Sequence, residues 1–230
     1  KYDIPISGVI GDSQSSLFAN QCFIKGDTKI TLGTGSSILT NIGNSYKVRN
    51  KYITTLSFVY NGKPYYSYEC LINFAGATIS WLKNNLEIID SVKDSSKISK
   101  SVKDSNGVFL IPAFVGLSSP HWIPDSKGMF YGLTPSVNKN HIIRSSLESV
   151  AFQIKDYAEE LKKQQKIKFK KIYLDGGMTS NTFLIQMLSN LFQNKIYISK
   201  LEDMSAYGSL LMGLLGFKFI KSLNDLKKFK

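Results

Sequence analysis

The chain has 230 residues, 43% of them hydrophobic, with 14 Phe and 12 Tyr; this is enough for a substantial core and excludes a disordered chain. Its formal net charge of +12 raises nucleic acid or an anionic membrane as partners. However, only Arg49 and Arg144 of the 29 basic residues are arginines, and the lysines are scattered except at 162–171 and near the C-terminus, so a solvated lysine-rich surface is expected and nucleic acid is not.

Along the chain, residues 6–10 read as a strand. The carboxylate of Asp12 follows it, with a short helix over 15–20 that Asp12 would cap. Residues 30–32 and 37–41 flank Gly33-Thr34-Gly35, and residues 53–60 and 64–69 flank Asn61-Gly62, so two hairpins are expected. A helix is predicted over 74–86 and a short lysine-rich one over 95–103. Residues 107–112 read as a buried strand, 115–127 as a loop, and 128–133 as a strand again. The longest helix is predicted over 139–164, because Ile143, Leu147, Val150, Ile154, Tyr157 and Leu161 recur at spacings of three and four. The last third alternates: strand 172–174, helix 180–192, strand 196–198, helix 205–215, and a short peripheral helix over 222–230. Early hairpins followed by alternating strand and helix give an α/β class.

Cys22 and Cys70 have no metal-ligand spacing and read as buried thiols in a reducing cytoplasm. No metal-ligating cluster is expected. The longest uncharged apolar stretch, 210–217, is too short to span a bilayer, so no membrane partner is expected. Lys1 and the residues after it do not read as a signal peptide.

Four glycine-bearing segments are candidates for chemistry. Gly11-Asp12-Ser13 offers either a helix cap or a general base. Thr31-Leu-Gly-Thr-Gly-Ser-Ser37 lets backbone amides approach a phosphate, as many hairpins also do. Asp175-Gly-Gly-Met-Thr-Ser-Asn181 joins an apolar strand to an amphipathic helix. It suits a flat ligand and an anion at the helix N-terminus, or else is an ordinary turn capped by Thr179 or Ser180. Small residues at Ala206, Gly208, Ser209 and Gly213 suggest close helix packing. The order of these segments is that of the second half of an actin-like, ribonuclease H-like phosphotransferase.

Gly128-Met-Phe-Tyr-Gly-Leu, seven residues, then His141-Ile-Ile-Arg-Ser-Ser-Leu-Glu148 resembles the C-terminal signature of the FGGY carbohydrate kinases, the glycerol kinases most closely. Gly11-Asp12, Gly33-Thr34-Gly35, Phe74-Ala-Gly-Ala-Thr-Ile-Ser-Trp81, Pro112-Ala-Phe-Val-Gly-Leu117, Asp175-Gly-Gly177 and Asn181 extend the likeness over nearly the whole chain.

The resemblance implies ATP-dependent phosphorylation of a polyol or sugar hydroxyl, with glycerol the first expectation and Mg2+ accompanying ATP. Asp12 would be the base and, with Ser13, would face the substrate. Thr34, between Gly33 and Gly35, would meet the nucleotide phosphates. Gly76 and Ser80 would line the nucleotide site, and Gly177 and Asn181 would hold the adenosine. His121 would be structural or act through other residues. Ser13 and Ser80 stand where glycerol kinases usually carry Gln, and Ser37 where they carry an aromatic residue. The acceptor side is therefore expected to be more polar, which keeps xylulose, erythritol or gluconate open as acceptors, and a non-catalytic ATP-binding relative is the other reading. The resemblance also implies that residues 1–230 form one domain whose N-terminal partner domain is not in this chain, so that the chain alone would be inactive. It leaves a homo-oligomer open.

Overall fold

The computed structural model describes residues 3–229. Among these residues, eight strands and six α-helices run in the order α1 (Asp12–Ala19), β1 (Thr28–Leu32), β2 (Ser36–Gly43), β3 (Ile53–Tyr60), β4 (Lys63–Ile72), α2 (Gly76–Asn84), α3 (Ser95–Lys100), β5 (Phe109–Ile111), β6 (Met129–Tyr131), α4 (Lys139–Gln165), β7 (Ile172–Asp175), α5 (Thr182–Phe192), β8 (Ile196–Ile198) and α6 (Met204–Gly216). Six strands form one sheet in the order β3-β4-β2-β1-β7-β8. β1, β2, β4 and β3 pair antiparallel, whereas β7 is parallel to β1 and β8 parallel to β7.

The β3–β4 hairpin turns at Asn61 and Gly62, both with positive φ (49° and 72°), the left-handed pair that matches strand twist. The long helix α4 lies across one face of the sheet. Its stripe of Ile143, Leu147, Val150, Ile154, Tyr157 and Leu161 is wholly buried. The lower part of that stripe joins Ile30, Leu32, Ile38, Cys70, Ile172 and Leu174 in the main core, together with Leu184 and Leu188 of α5. Tyr157 also donates its hydroxyl proton towards the Tyr68 carbonyl oxygen at 3.0 Å, so the one polar atom in the stripe is satisfied. The opposite face carries Leu39 and Tyr173, covered by Leu17 and Cys22 from α1 and the turn after it. α6 then packs on α1: a side chain at Gly208 would strike the Ser15 carbonyl at 2.0 Å, so the small residues at this crossing serve packing, as expected. Both cysteines are free and buried.

Several expectations need correction. Residues 6–10 are extended but join no strand ladder among the described residues. They lie along α6, where a Cβ on Gly8 would sit 2.9 Å from Met212, and a helix offers no ladder partner. Gly11, not Asp12, occupies the cap position of α1, and Asp12 is its first residue. The strand expected to be buried at 107–112 is β5, which pairs only with β6 in a separate two-stranded sheet. Burial alternates along the segment: Val108, Leu110 and Pro112 are buried, whereas Phe109 and Ile111 are exposed. The helix predicted over 180–192 is α5, which starts at Thr182 after a short 3-10 turn, Gly177–Ser180. Residues 225–229 form a 3-10 turn, and Lys230, included in the predicted terminal helix, lies outside the described residues.

Candidate functional site

The turn between β1 and β2 and the turn after β7 lie at the same end of adjacent strands, because β1 and β7 are parallel and Thr31 is in register with Asp175. Topology therefore brings together two glycine segments far apart in sequence. The carbonyls of the first turn face α2: Gly76 N donates to Gly33 O at 2.9 Å, and Ala75 N and Ala77 N donate to Thr34 O at 3.0 and 2.9 Å. These bonds satisfy the first amides of α2 and leave the exposed Thr34 side chain without a hydrogen bond among the described residues.

After β7 the chain turns at Gly176, where φ is +92° and an added Cβ would lie 2.5 Å from Leu32 O. Only glycine fits both the conformation and the contact. Gly177 is different: a Cβ there would meet nothing within 4 Å, so its face is open. Thr179 and Ser180 donate their hydroxyl protons to the carbonyls of Gly176 and Gly177 (2.8 and 3.0 Å). The cap of α5 is instead Asn181, whose Oδ1 accepts from Leu184 N at 3.0 Å and whose Nδ2 donates to Ser95 Oγ at 3.1 Å. The expectation that Thr179 or Ser180 caps this helix is therefore corrected: both hydroxyls turn onto their own backbone, and Asn181 is the cap.

These segments enclose a cavity of about 740 Å³ lined by Gly33, Thr34, Gly76, Ser80, Gly177 and Asn181, among others. Ile79 and Met178 give it apolar walls, and Val92, Lys93 and Ser95 close its rim. Ser80 Oγ donates to Gly76 O (3.3 Å) and Ser95 Oγ to Val92 O (2.6 Å). Gly35 does not line this cavity; a Cβ there would lie 2.7 Å from Ile72 O, so it is a packing glycine in the hairpin. A cavity with flat glycine walls, apolar sides and a free hydroxyl at one end suits a planar, partly charged ligand.

Asp12 and Ser13 lie outside the cavity lining, at the start of α1. Asp12 is exposed, and its Oδ1 accepts from Ser13 N at 2.6 Å. Its backbone oxygen accepts from Ser205 Oγ at 2.9 Å, which fixes the start of α1 to α6. An exposed carboxylate at the start of α1 is available as a proton acceptor.

Three features were not singled out in the sequence. Lys29 is buried in mid-sheet beside Thr31. Glu69 accepts from Ser37 Oγ at 3.4 Å, and burial pushes its carboxyl pKa up while Lys29 and the Ser37 bond pull it down. Arg144 ties α4 to the end of α3 and to Phe183 of α5. It pairs with Glu148 at 2.8 Å, donates to the carbonyls of Ser99 and Val102 at 3.1 and 2.7 Å, and covers the Phe183 ring at 5.0 Å. The signature around residue 144 therefore has a structural basis: α4 starts with Asn138 accepting from Asn140 N and His141 Nδ1 accepting from Asn138 N. His121 is exposed, 3.4 Å from Asp156, and apart from the cavity.

The sequence profile of the FGGY family of carbohydrate kinases, C-terminal domain, matches residues 28–217. The chain belongs to the FGGY family of carbohydrate kinases. It is 39% identical to the glycerol kinase of Brachyspira hyodysenteriae over 225 residues and 38% identical to that of Fusobacterium nucleatum over 226. These alignments cover 97% and 98% of this chain but 46% of each relative, so the chain spans about half the length of the curated relatives it matches. Its fold superposes on the crystal structure of Plasmodium falciparum glycerol kinase with ADP with a TM-score of 0.89 and 33% identity, covering 95% of this chain and 44% of the other. Xylulose kinase from Lactobacillus acidophilus, at 20% identity, shares the fold with a TM-score of 0.82 over 95% of this chain and 44% of that one. This FGGY domain has the actin-like, ribonuclease H-like α/β fold, with antiparallel strands leading into a parallel pair.

Proposed function

We propose that this FGGY domain supplies the nucleotide wall and the general base of an ATP-dependent polyol kinase, with glycerol as the first acceptor to test. The observation that carries the reading is the shared cavity: Thr34, Gly76, Ser80, Gly177 and Asn181 are separated by up to 147 positions yet line one space. A relative of the same fold, at 33% identity, was crystallised with ADP. The adenosine would lie on the open face of Gly177, and the phosphates would point towards Thr34. Asn181 would hold the wall in shape, since its carbonyl oxygen and one amide proton are already committed.

Phosphoryl transfer depends mainly on positioning and charge stabilisation. As the acceptor oxygen bonds to the γ-phosphorus and the β,γ-bridging bond breaks, the hydroxyl proton passes to the carboxylate of Asp12 and ADP departs. The Thr34 hydroxyl, free of internal bonds, is available to the charge that develops on the phosphates. Among the described residues no cluster of three His, Cys, Asp or Glu forms a cage for a metal ion. A magnesium ion would come with the nucleotide's phosphates, where it would neutralise charge during transfer.

Ile4, Ile6 and Val9 are 83%, 85% and 86% exposed, an apolar stretch that supports a covering N-terminal domain in the whole protein. Phosphoryl transfer would need both walls closed around the reactants, so residues 1–230 alone are expected to be inactive. No helix among the described residues is long and apolar enough to cross a membrane.

Ser13 and Ser37 would make the acceptor side more polar than a glutamine and an aromatic residue there would. This favours, as a second reading, an acceptor with more hydroxyls than glycerol. An assay of ADP release by the full-length protein with glycerol, erythritol, xylulose, ribulose and gluconate separates the readings. Turnover with at least one polyol or sugar is expected. ATP binding without turnover on any acceptor would favour a non-catalytic ATP-binding relative.

A further inference from the structure

Lys29 has no evident reason to be a lysine if only stability is considered. It lies in β1, in register with Leu39 on one side and Tyr173 on the other, and is 1% exposed. Placing an ammonium there is costly, and a methionine would fill a similar volume without that cost.

Strand register shows what surrounds it. Side chains two apart share a face, and residues paired across strands share it too. Lys29 and Thr31 therefore face the same way as Ser37 and Leu39 of β2, Glu69 of β4, and Tyr173 and Asp175 of β7. This is the face that α1 covers. Lys29 Nζ donates to Thr31 Oγ1 at 2.7 Å. Burial lowers its pKa, and Asp175, Glu69, Cys22 and Asp12, in that order, oppose the shift. The carboxylates that face it come from β7, β4 and the start of α1.

Two of those carboxylates lead away from Lys29 to the two halves of the site. Asp175 Oδ2 accepts from Ser16 Oγ, one turn along α1 from Asp12. Glu69 Oε1 accepts from Ser37 Oγ at 3.4 Å, three residues beyond Thr34. The buried ammonium is thus the positive centre of a polar layer whose arms end on the helix carrying the base and on the hairpin carrying the phosphate-facing hydroxyl.

We propose that Lys29 is a positioning residue for phosphoryl transfer, holding α1 and the Thr34 hairpin in fixed relation through Thr31, Asp175 and Glu69. The inference rests on the kinase reading and extends it to a residue that touches neither reactant. Removing the charge leaves carboxylates facing one another with nothing between them. The arms then relax, and Asp12 loses alignment with the transferred group. Small misplacements of this kind lower turnover more than they weaken binding.

The test uses the full-length protein and the acceptor with the highest turnover. Lys29→Met is expected to lower kcat by about 10- to 100-fold with little change in KM for ATP. Lys29→Arg keeps the charge and is expected to recover part of the loss. The double variant Lys29→Met, Glu69→Gln removes a facing carboxylate and is also expected to turn over faster than Lys29→Met. Should Lys29→Met fail to fold, Thr31→Val, which breaks the ammonium's hydrogen bond, carries the test: reduced kcat with unchanged KM for ATP supports the proposal, and wild-type kcat overturns it. A folded Lys29→Met with wild-type kcat overturns it, as does a loss that neither Arg nor the double variant relieves. A wild-type protein with no turnover on any acceptor would overturn the kinase reading and this inference together, whereas an active wild type with an equally active Lys29→Met would overturn this inference alone.

Discussion

Replacing Gly177 by alanine would separate ligand contact from folding. The new methyl would meet no protein atom within 4 Å, and the backbone there is outside the left-handed region. Stability should hold or rise slightly, because alanine reduces the freedom of the unfolded chain by about 0.4–1 kcal/mol. Inside the cavity the methyl projects about 1.5 Å from Cα into space where a packed ligand would sit about 3.5–4.0 Å away. Such overpacking costs about 1–3 kcal/mol, which corresponds to a Kd roughly 5- to 150-fold weaker. The neighbouring substitution is the control. Gly176→Ala would place its methyl 2.5 Å from Leu32 O at a φ of +92°, so it should lose about 1–3 kcal/mol of stability through strain. Titration calorimetry with ADP and thermal melts on the full-length protein read both effects. If Gly177→Ala melts like wild type and binds ADP with unchanged Kd, the nucleotide does not lie on Gly177 and the cavity assignment fails.

Two further perturbations test how the site is held. Arg144→Ala would strip the α3 end of two hydrogen bonds and leave the largely buried Glu148 unpaired; a loss of about 3–5 kcal/mol in denaturant unfolding is expected, and a loss under about 1 kcal/mol would show that Arg144 does not fasten α3 to α4. Asp27 is buried with Oδ1 unpartnered, and its pKa is raised, chiefly by burial and against the Ile24 amide and Lys171. A carboxyl raised on folding favours the folded state at low pH, and that contribution is lost as pH rises from its unfolded value of 3.8 through the folded one. Asp27→Asn should therefore flatten the decline of melting temperature above pH ~4; an unchanged slope would count against a buried, strained carboxylate.

Much of the scaffold was legible because local chemistry and tertiary structure agree. The α4 stripe and the Asn61-Gly62 turn each satisfy a periodicity or conformational rule that packing later reinforces. Misreadings arose where local signals were ambiguous. Phe109-Leu110-Ile111 is continuously apolar, and such a run does not say whether one face or two will be covered. Residues 6–10 have a strand's composition, but α6, not a strand, lies beside them. Thr179, Ser180 and Asn181 are all capping residues, and only the geometry shows the first two turned onto their own backbone.

The site divides in a similar way. The glycine turns were visible as glycines, but their convergence depends on β1 and β7 being parallel neighbours, which no local pattern encodes. Asp12 read first as a helix cap, but Gly11 holds the cap position and Asp12 is the first residue of α1. Lys29 was invisible because a lysine alternating with Ile30 reads as the solvent face of a strand. That face becomes interior only once α1, from the preceding segment, folds over it.

The central claim is that Asp12 takes the acceptor's proton while the nucleotide sits in the Gly177–Thr34 cavity. Phosphorus NMR of the full-length protein with MgATP and its preferred polyol measures this directly, with Asp12→Asn alongside. The account predicts an ATP-dependent phosphomonoester signal whose rate of formation falls by about 10²–10⁴-fold in the variant, while ADP binds both proteins alike. A phosphomonoester made by Asp12→Asn at the wild-type rate, or none made by the wild type from any polyol or sugar, would contradict it.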